Sequence, residues 1–407
     1  MTASAYLVTV GAMPSADADG AAVATALAGA GVAVVTRAFV EDDERALERA
    51  LGPEDALTVV LAGGGGSAGD IVRRVLARVT GTRLVLNNRV LGALEEWYRR
   101  HDRPLPRRAE RLGLLPQGAI AWVTTDGEAA WTLESDRGTF AVLARDTGIQ
   151  TMIAQHLVPF ARAWAGGHGP ALLRTLRTVG LGLVEVEERL VDWLGREGEV
   201  AVSTIPADGE VWVRLRARAA THAEAAAALA KVEAAVGAAL GDDCYGCDAE
   251  TLEHVVGRML LERKLTLAVA ESCTGGFLGH RLTSVPGSSG YFERGVLAYS
   301  NQAKEEMLGV PESVLRTHGP ASAPCAEAMA RGAADLASAP CGLAITGVTD
   351  ADSGSLATPV GTVFVGLALS GRVLSRRFLF SGDRAAVKWQ STQAALDLLR
   401  RSLGGEP

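Results

Sequence analysis

The sequence predicts an α/β protein built from three modules. Three observations lead there. Strand-like and helix-like segments alternate over the first ~165 residues and alternate again over the last ~160. The stretch between them has a different order of elements. At 407 residues the chain is too long for one ordinary core. With 48% hydrophobic and 21% charged residues, the composition is globular and excludes a disordered chain.

The first module is placed at residues 1–170. "AYLVTVG" reads as a strand, and "AAVATALAGAG" as an Ala-rich helix ending at Gly31. "VAVVTRAFV" is a second strand and "DERALERALG" the next helix. "ALTVVLAGGGG" is a third strand running into glycines, with "DIVRRVLARV" helical after it. This order predicts a parallel sheet wrapped by helices. "RAWAGGHGP", ending at Pro170, has the composition of a linker.

The second module, 171–246, is predicted to be a small α+β unit. "LLRTLRTVGL" leads to the helix "VEERLVDWLG". "VAVSTIP" and "EVWVRLRARA" follow around a turn at Asp208-Gly209, and then the helix "HAEAAAALAKVEAAVGAAL". "GREG", Gly195 to Gly198, has the spacing of a nucleic-acid GxxG clamp but falls between a helix and a strand, where a surface turn is expected.

The third module, 247–407, opens with the helix "TLEHVVGRMLLERK". It then alternates through "LTLAVAES", "RGVLAYS", "GLAITG", "GTVFVGLAL" and "LSRRFLF" to a final helix. Its polar clusters sit at strand ends and in loops. They are Glu271-Ser272-Cys273-Thr274-Gly275-Gly276, then Gly287-Ser288-Ser289 with Tyr299-Ser300-Asn301 and Lys304, then Thr346-Gly347 with Gly382-Asp383-Arg384. Open α/β sheets gather ligands beyond the carboxyl ends of their strands. Gly275 and Gly276 begin a helix, so their N–H groups are candidates to face an anion or a developing oxyanion. Serine with lysine points to nucleophilic catalysis without histidine. A lysine becomes the base when burial or a neighbouring cation lowers its pKa.

Other features narrow the class. The longest apolar runs are too short to span a bilayer, and the N-terminus reads as a first strand rather than a signal peptide, so a cytoplasmic protein is expected. A net charge of −7 argues against a chain-wide nucleic-acid footprint. Five cysteines form no disulfide framework, and the single "CYGC" at Cys244 and Cys247 has no partner motif to complete a zinc site.

The motifs "LAVAESCTGGFLGHRLTSVPGSSGYFERGVLAYSNQAKEEMLGV", "GLAITG", "PVGTVFVGLAL" and "FSGDRAAVKWQ" resemble, in this order, the C-terminal domain of the CinA family over residues 248–404. The resemblance implies a nicotinamide mononucleotide deamidase that needs no metal or redox cofactor. It implies Ser289 as nucleophile, Lys304 as its base and Tyr299 as the group that assists proton transfer or orients the pair. Ser272 is the second candidate nucleophile. Glu271, Ser272, Thr274, Gly275, Gly276, Asn301, Thr346, Gly347 and Arg384 are implied to contact the nucleotide. Two positions depart from the family pattern: Thr358 stands where a lysine is usual, and Lys388 where an arginine is common. A homodimer is expected, with no membrane or nucleic-acid partner.

The rest of the chain resembles full-length CinA proteins. The middle module is similar to their small KH-like domain. The first is similar to their molybdopterin-binding-like domain, which is associated with metal-dependent ADP-ribose pyrophosphatase activity. Here that domain has lost acids. "GAMPS" puts Ala12 and Met13 where the family has two acids, and Gly20 replaces an asparagine. Asp70 survives beside Ile71, and Thr151 replaces another acid, with Asp146 nearby. A divalent metal on a pyrophosphate needs carboxylate oxygens, so a degenerate domain without bound metal is expected. The alternatives are a bifunctional deamidase and pyrophosphatase, or a non-enzymatic partner protein in competence or DNA damage.

Overall fold

The computed structural model describes residues 3–11, 17–62, 66–123, 129–144, 148–166, 171–196, 198–207, 209–219, 221–349 and 358–405. Contacts divide the chain into two compact units, Met1–Leu173 with Arg216–Ala230, and Arg174–Leu215 with Lys231–Pro407. The division falls inside the middle module. Among the described residues, no helix is long and apolar enough to cross a membrane.

The first unit runs β1 (Ser4–Val10), α1 (Ala18–Gly29), β2 (Ala33–Val40), α2 (Glu44–Ala50), β3 (Leu57–Ala62) and α3 (Gly66–Val79). It continues with β4 (Leu84–Leu86), α4 (Asn88–Arg100), β5 (Leu114–Pro116), β6 (Ile120–Val123), β7 (Ala129–Ser135), β8 (Gly138–Ala144), α5 (Ile149–Met152) and α6 (Val158–Ala165). Asp17, Asp43 and Asn87 cap α1, α2 and α4 by accepting from free N–H groups of the first turn. The main sheet has the order β2-β1-β3-β8-β7-β6. The expected parallel arrangement holds for β2, β1, β3 and β8. The other edge differs: β7 runs antiparallel to both β8 and β6. Its hairpin turns at "SDRG", where Gly138 takes φ +124. Alternate residues of β1 enter opposite cores, Ala5 and Leu7 on one face and Val8 and Val10 on the other.

The middle elements, through which the division runs, are β9 (Ala171–Thr178), α7 (Leu183–Arg189), β10 (Val200–Ala207), β11 (Glu210–Arg218), α8 (His222–Leu240) and β12 (Cys244–Cys247). Their sheet order is β10-β11-β9-β12. Helix α7 starts and stops earlier than its sequence pattern suggested. Asp208 and Glu197, which belong to the expected hairpin turn and to the GxxG stretch, lie outside the described residues.

The remaining elements are α9 (Leu252–Arg263), β13 (Leu267–Glu271), α10 (Phe277–Thr283), β14 (Phe292–Leu297), α11 (Asn301–Leu308), α12 (Glu312–His318), α13 (Ala323–Ala337), β15 (Cys341–Gly347), β16 (Thr362–Leu369), β17 (Arg372–Leu379) and α14 (Arg384–Gly404). Their sheet has the order β14-β13-β15-β16-β17. Its first three strands are parallel and its last two antiparallel. Leu267 and Val269 face a core shared with α9 and α14, while Ala268 and Ala270 face α13. The first of these cores also takes in Val179 and Tyr245 of the middle module.

Small residues let α13 lie close on the sheet. A Cβ on Gly342 would stand 2.0 Å from the carbonyl oxygen of Ala330, and one on Gly366 2.1 Å from that of Ala326. Gly332 does the same for α11, whose Leu308 carbonyl oxygen would be 1.9 Å from an added Cβ. This stack sets the height of α11 above the strand ends. A methyl at either strand glycine forces the helix outward, so Gly342→Ala is expected to destabilise the fold by about 1–3 kcal/mol. A urea midpoint unchanged from wild type would show that α13 does not need this approach.

Candidate active site

The period of two along a strand decides what Glu271 and Ser272 can touch. They are consecutive, so they point to opposite faces at the carboxyl end of β13. Glu271 is buried on the α10 side. Its carboxylate accepts hydrogen bonds from the main-chain N–H groups of Gly276 (3.1 Å), Leu278 (3.0 Å) and Gly279 (2.7 Å). These are donors of a first helical turn, and a carboxylate is the group best suited to them. Gly275 and Gly276 make the loop possible, with φ of +65 and +93.

Ser272 is buried on the other face, beside Lys304. The Lys304 ammonium is 3.0 Å from Ser272 Oγ, 3.1 Å from the carbonyl oxygen of Ala298 and 3.0 Å from that of Tyr299. Lys304 is 1% exposed, and no carboxylate lies within ion-pair distance of it among the described residues. Burial therefore pushes its pKa below the ordinary lysine value. The two carbonyls fix two N–H bonds. The third tetrahedral position of the nitrogen faces Ser272 Oγ, where it donates when charged and accepts when neutral.

The geometry does not bring the expected nucleophile, Ser289, to Lys304. β13 and β14 are parallel, with Leu267 opposite Phe292 and Glu271 opposite Leu297. Ser289 lies just before Phe292, at the amino edge of the sheet, on an exposed turn (Ser288–Gly290). Lys304 follows Leu297, at the carboxyl edge. Four strand steps of about 3.3 Å separate the two edges, so Lys304 meets Ser272 and not Ser289.

The other expected residues are placed as follows. Tyr299 contributes to the lysine through its carbonyl; the residue is 60% exposed, and its hydroxyl accepts from Arg384 Nη2 at 3.1 Å. Asn301 is exposed on the first turn of α11. Thr346 lies on the same face as Ser272, one residue beyond the Ile345–Glu271 pair, and its hydroxyl donates to the carbonyl of Pro320 at 2.7 Å. Gly347 lets β15 run close to β16: an added Cβ would meet the Thr362 carbonyl oxygen at 2.6 Å. Thr274 is fully buried, and its hydroxyl has no partner among the described residues. The N–H groups expected to face an anion are already engaged, that of Gly275 by the Ser272 carbonyl and that of Gly276 by Glu271.

Two neighbours were not picked out as site residues from sequence. Lys388 Nζ hangs over Gly275, 3.4 Å from where a Cβ would be. It stands one helical turn after Arg384 on α14, a spacing that could have flagged it. Cys273 follows Ser272 but is buried, and burial pushes its pKa up to about 11. At neutral pH it is an inert thiol rather than a thiolate.

In the first unit, Asp70 already has cationic partners in the chain itself. Its carboxylate pairs with Arg73, and with Arg111 at 3.3 Å. Ile71 is buried and Thr151 exposed. Ala12, Met13 and Asp146 lie outside the described residues, as do Gly63 to Gly65 and most of the altered loop, 350–357. Among the described residues no group of His, Cys, Asp and Glu is arranged to hold a metal ion.

Comparison with known proteins matches three parts of the chain. Residues 249–403 match the family described as CinA C-terminal domain. Residues 173–246 match Damage-inducible protein CinA KH domain, and 8–162 match Probable molybdopterin binding domain. A CinA-like protein of Syntrophus aciditrophicus is 38% identical over 89% of this chain and 88% of its own. One from Geobacter sulfurreducens is 37% identical over 95% of both. A crystal structure of a competence-damaged protein (CinA) superfamily protein from Klebsiella pneumoniae is 33% identical, covering 38% of this chain and 96% of that one, with a TM-score of 0.37.

The buried lysine predicts a pH dependence. Its pKa is lower in the folded chain than the ordinary 10.5. Between those two values the unfolded chain holds a proton that the folded chain lacks, so stability rises with pH across that window. Below it both states are charged, and the burial penalty is present in full. The unfolding free energy of wild type should therefore gain on that of Lys304→Met as pH is raised from neutral toward 10.5. Denaturant titrations at several pH values measure this, and a constant difference would rule out the ionisation.

Proposed function

This chain belongs to the CinA family, and from that premise we propose that it is an amidohydrolase converting nicotinamide mononucleotide to nicotinic acid mononucleotide and ammonia. The observation that carries the amidase half is the buried Ser272–Lys304 pair. The nucleotide half rests on the motif resemblance, supported by Lys388 over Gly275 and Arg384 one turn before it on α14.

Neutral Lys304 takes the Ser272 hydroxyl proton as Oγ attacks the amide carbonyl carbon. The carbonyl π pair moves to oxygen. The new ammonium passes that proton to the amide nitrogen as the C–N bond breaks, and ammonia leaves an ester on Ser272. Lys304 then takes a proton from water. The hydroxide adds to the ester, and the proton returns to Ser272 Oγ as the carboxylic acid departs. A lysine buried without an acid partner suits this cycle, because its neutral form is accessible. Arg384 and Lys388 offer positive charge to the phosphate, which lets binding energy remote from the amide orient it.

The single-activity form is favoured over a bifunctional one by Asp70. A carboxylate held by two guanidinium groups is a poor cation ligand, and pyrophosphate hydrolysis needs such a cation to stabilise its phosphate oxygens.

Ser272→Ala and Lys304→Ala are each expected to lower ammonia release from nicotinamide mononucleotide by about a thousandfold or more, with the double variant little worse than either. Ser289→Ala should stay within about threefold of wild type, as an exposed turn hydroxyl does. The opposite pattern, loss in Ser289→Ala and activity in Ser272→Ala, would overturn the assignment. Magnesium or manganese should not stimulate AMP release from ADP-ribose by the full-length chain. Stimulated release that disappears in Asp70→Ala would restore the bifunctional form.

A further inference from the structure

A buried carboxylate of the middle module lies at one end of a polar chain that leads to the Ser272 loop. Glu210, at the start of β11, is 6% exposed. It accepts from Trp212 Nε1 at 2.9 Å, Tyr245 OH at 2.8 Å and Arg177 Nε at 3.1 Å. All three donors belong to the middle module. The fourth does not: Gln393 Nε2, on α14, also donates to Glu210.

Gln393 is then held from its other side. Its amide oxygen accepts from Arg281 Nη2 at 2.5 Å. An amide has one donor end and one acceptor end. With a carboxylate on one side and a guanidinium on the other, only one orientation is tolerable, and a flip would set like partners against each other. Glu210 thus fixes the face that Gln393 shows to Arg281.

Arg281 is 4% exposed and sits in the last turn of α10. It pairs with Glu253 at 2.6 Å, donates to Thr392 Oγ1 at 2.7 Å, and lies over the Trp389 ring at 4.4 Å. Its Nε has no partner among the described residues, so the guanidinium depends on its remaining contacts for orientation. The helix it anchors is seven residues long, and the opposite end of that helix supplies the N–H groups that grip Glu271. Ser272 is the next residue.

We propose that Glu210 and Gln393 are positioning residues for Ser272, acting through Arg281 and α10, so that the middle module sets the geometry of the catalytic pair. This rests on the Ser272–Lys304 reading of the site. A seven-residue helix moves nearly as a rigid piece. Release of Arg281 shifts Leu278 and Gly279 relative to the Glu271 carboxylate, and with them the loop that aims Ser272 Oγ. Misplacement of a reacting group by about 1 Å costs on the order of a hundredfold in rate.

The test uses the full-length chain and Gln393→Met, which keeps the side-chain length and removes both ends of the amide. Ammonia release should show kcat reduced about tenfold to a hundredfold with KM within about twofold. Hydrogen exchange should speed by about tenfold at the amides of Leu278 and Gly279, while those of Met329 and Ala330 in α13 stay protected. Unchanged kcat and unchanged exchange at α10 overturn the proposal. So does uniform acceleration throughout the unit, which is loss of stability without positioning, or a change in KM alone. If Gln393→Met does not fold, Gln393→Glu applies the same criteria: it keeps an acceptor for Arg281 but sets a carboxylate against Glu210. A wild-type chain that releases no ammonia refutes the amidase reading, yet the exchange comparison needs no substrate and still decides the coupling.

Discussion

A lysine ammonium enclosed by small side chains, with no acid in reach among the described residues, is the constraint around which the C-terminal sheet is arranged. Such burial is unfavourable, and the two carbonyls and one hydroxyl around Lys304 offset only part of it. Each of those partners depends on a separate piece of the fold. The carbonyls of Ala298 and Tyr299 are available because β14 has ended and Ser300 has begun α11 as its cap, accepting from the Ala303 N–H at 3.1 Å. The lysine points inward because α11 rests on α13 at Gly332, and α13 rests on the strand glycines. The hydroxyl is there because β13 stops one residue before Ser272 and hands Glu271 to the opposite face. A charge that would find an aspartate anywhere on the surface is kept without one, and that is the condition for a lysine to act as a base near neutral pH.

The same burial separates two nucleophiles that differ by one position. Ser272 and Cys273 are adjacent, and a thiol is intrinsically the better nucleophile. Reactivity in a thiol requires the thiolate, and the thiolate requires a nearby positive charge and some exposure. Cys273 has little exposure, and its pKa goes up instead. In the proposed reaction a serine needs only a base at hydrogen-bond distance during attack, and Lys304 stands at that distance. The enclosed surroundings that silence the thiol are those that, in the proposed reaction, activate the hydroxyl.

What was legible in the sequence follows from how local each feature is. The "AESCTGG" strand end, the Lys304 helix start and the alternation of elements are local, and each fell close to where the structure places it. The partner of Lys304 was not legible. Ser289 is nearer in sequence, but a parallel strand carries it to the far edge, and only the β13–β14 register shows this. The antiparallel edge of the first sheet is not legible for a related reason. A short hairpin leaves the same hydrophobic alternation as a parallel strand. The Glu210–Gln393 bond joins positions 183 residues apart, and no pattern in either segment announces it.

The first unit shows the reverse relation between charge and burial. Asp70 keeps its carboxylate, and that carboxylate is already paired with Arg73, one helical turn away, and with Arg111, from the basic segment after α4. A metal site is assembled from several anions that repel one another until the cation binds. An acid without acidic neighbours has no such repulsion to relieve, and a guanidinium satisfies it with no cation to recruit. An isolated acid is therefore weak grounds for a metal. The stronger indicator is whether its neighbours are other acids or, as here, arginines. On that measure the two halves of the chain diverge: the C-terminal sheet keeps its cation without an anion, and the N-terminal sheet has given its anion two cations.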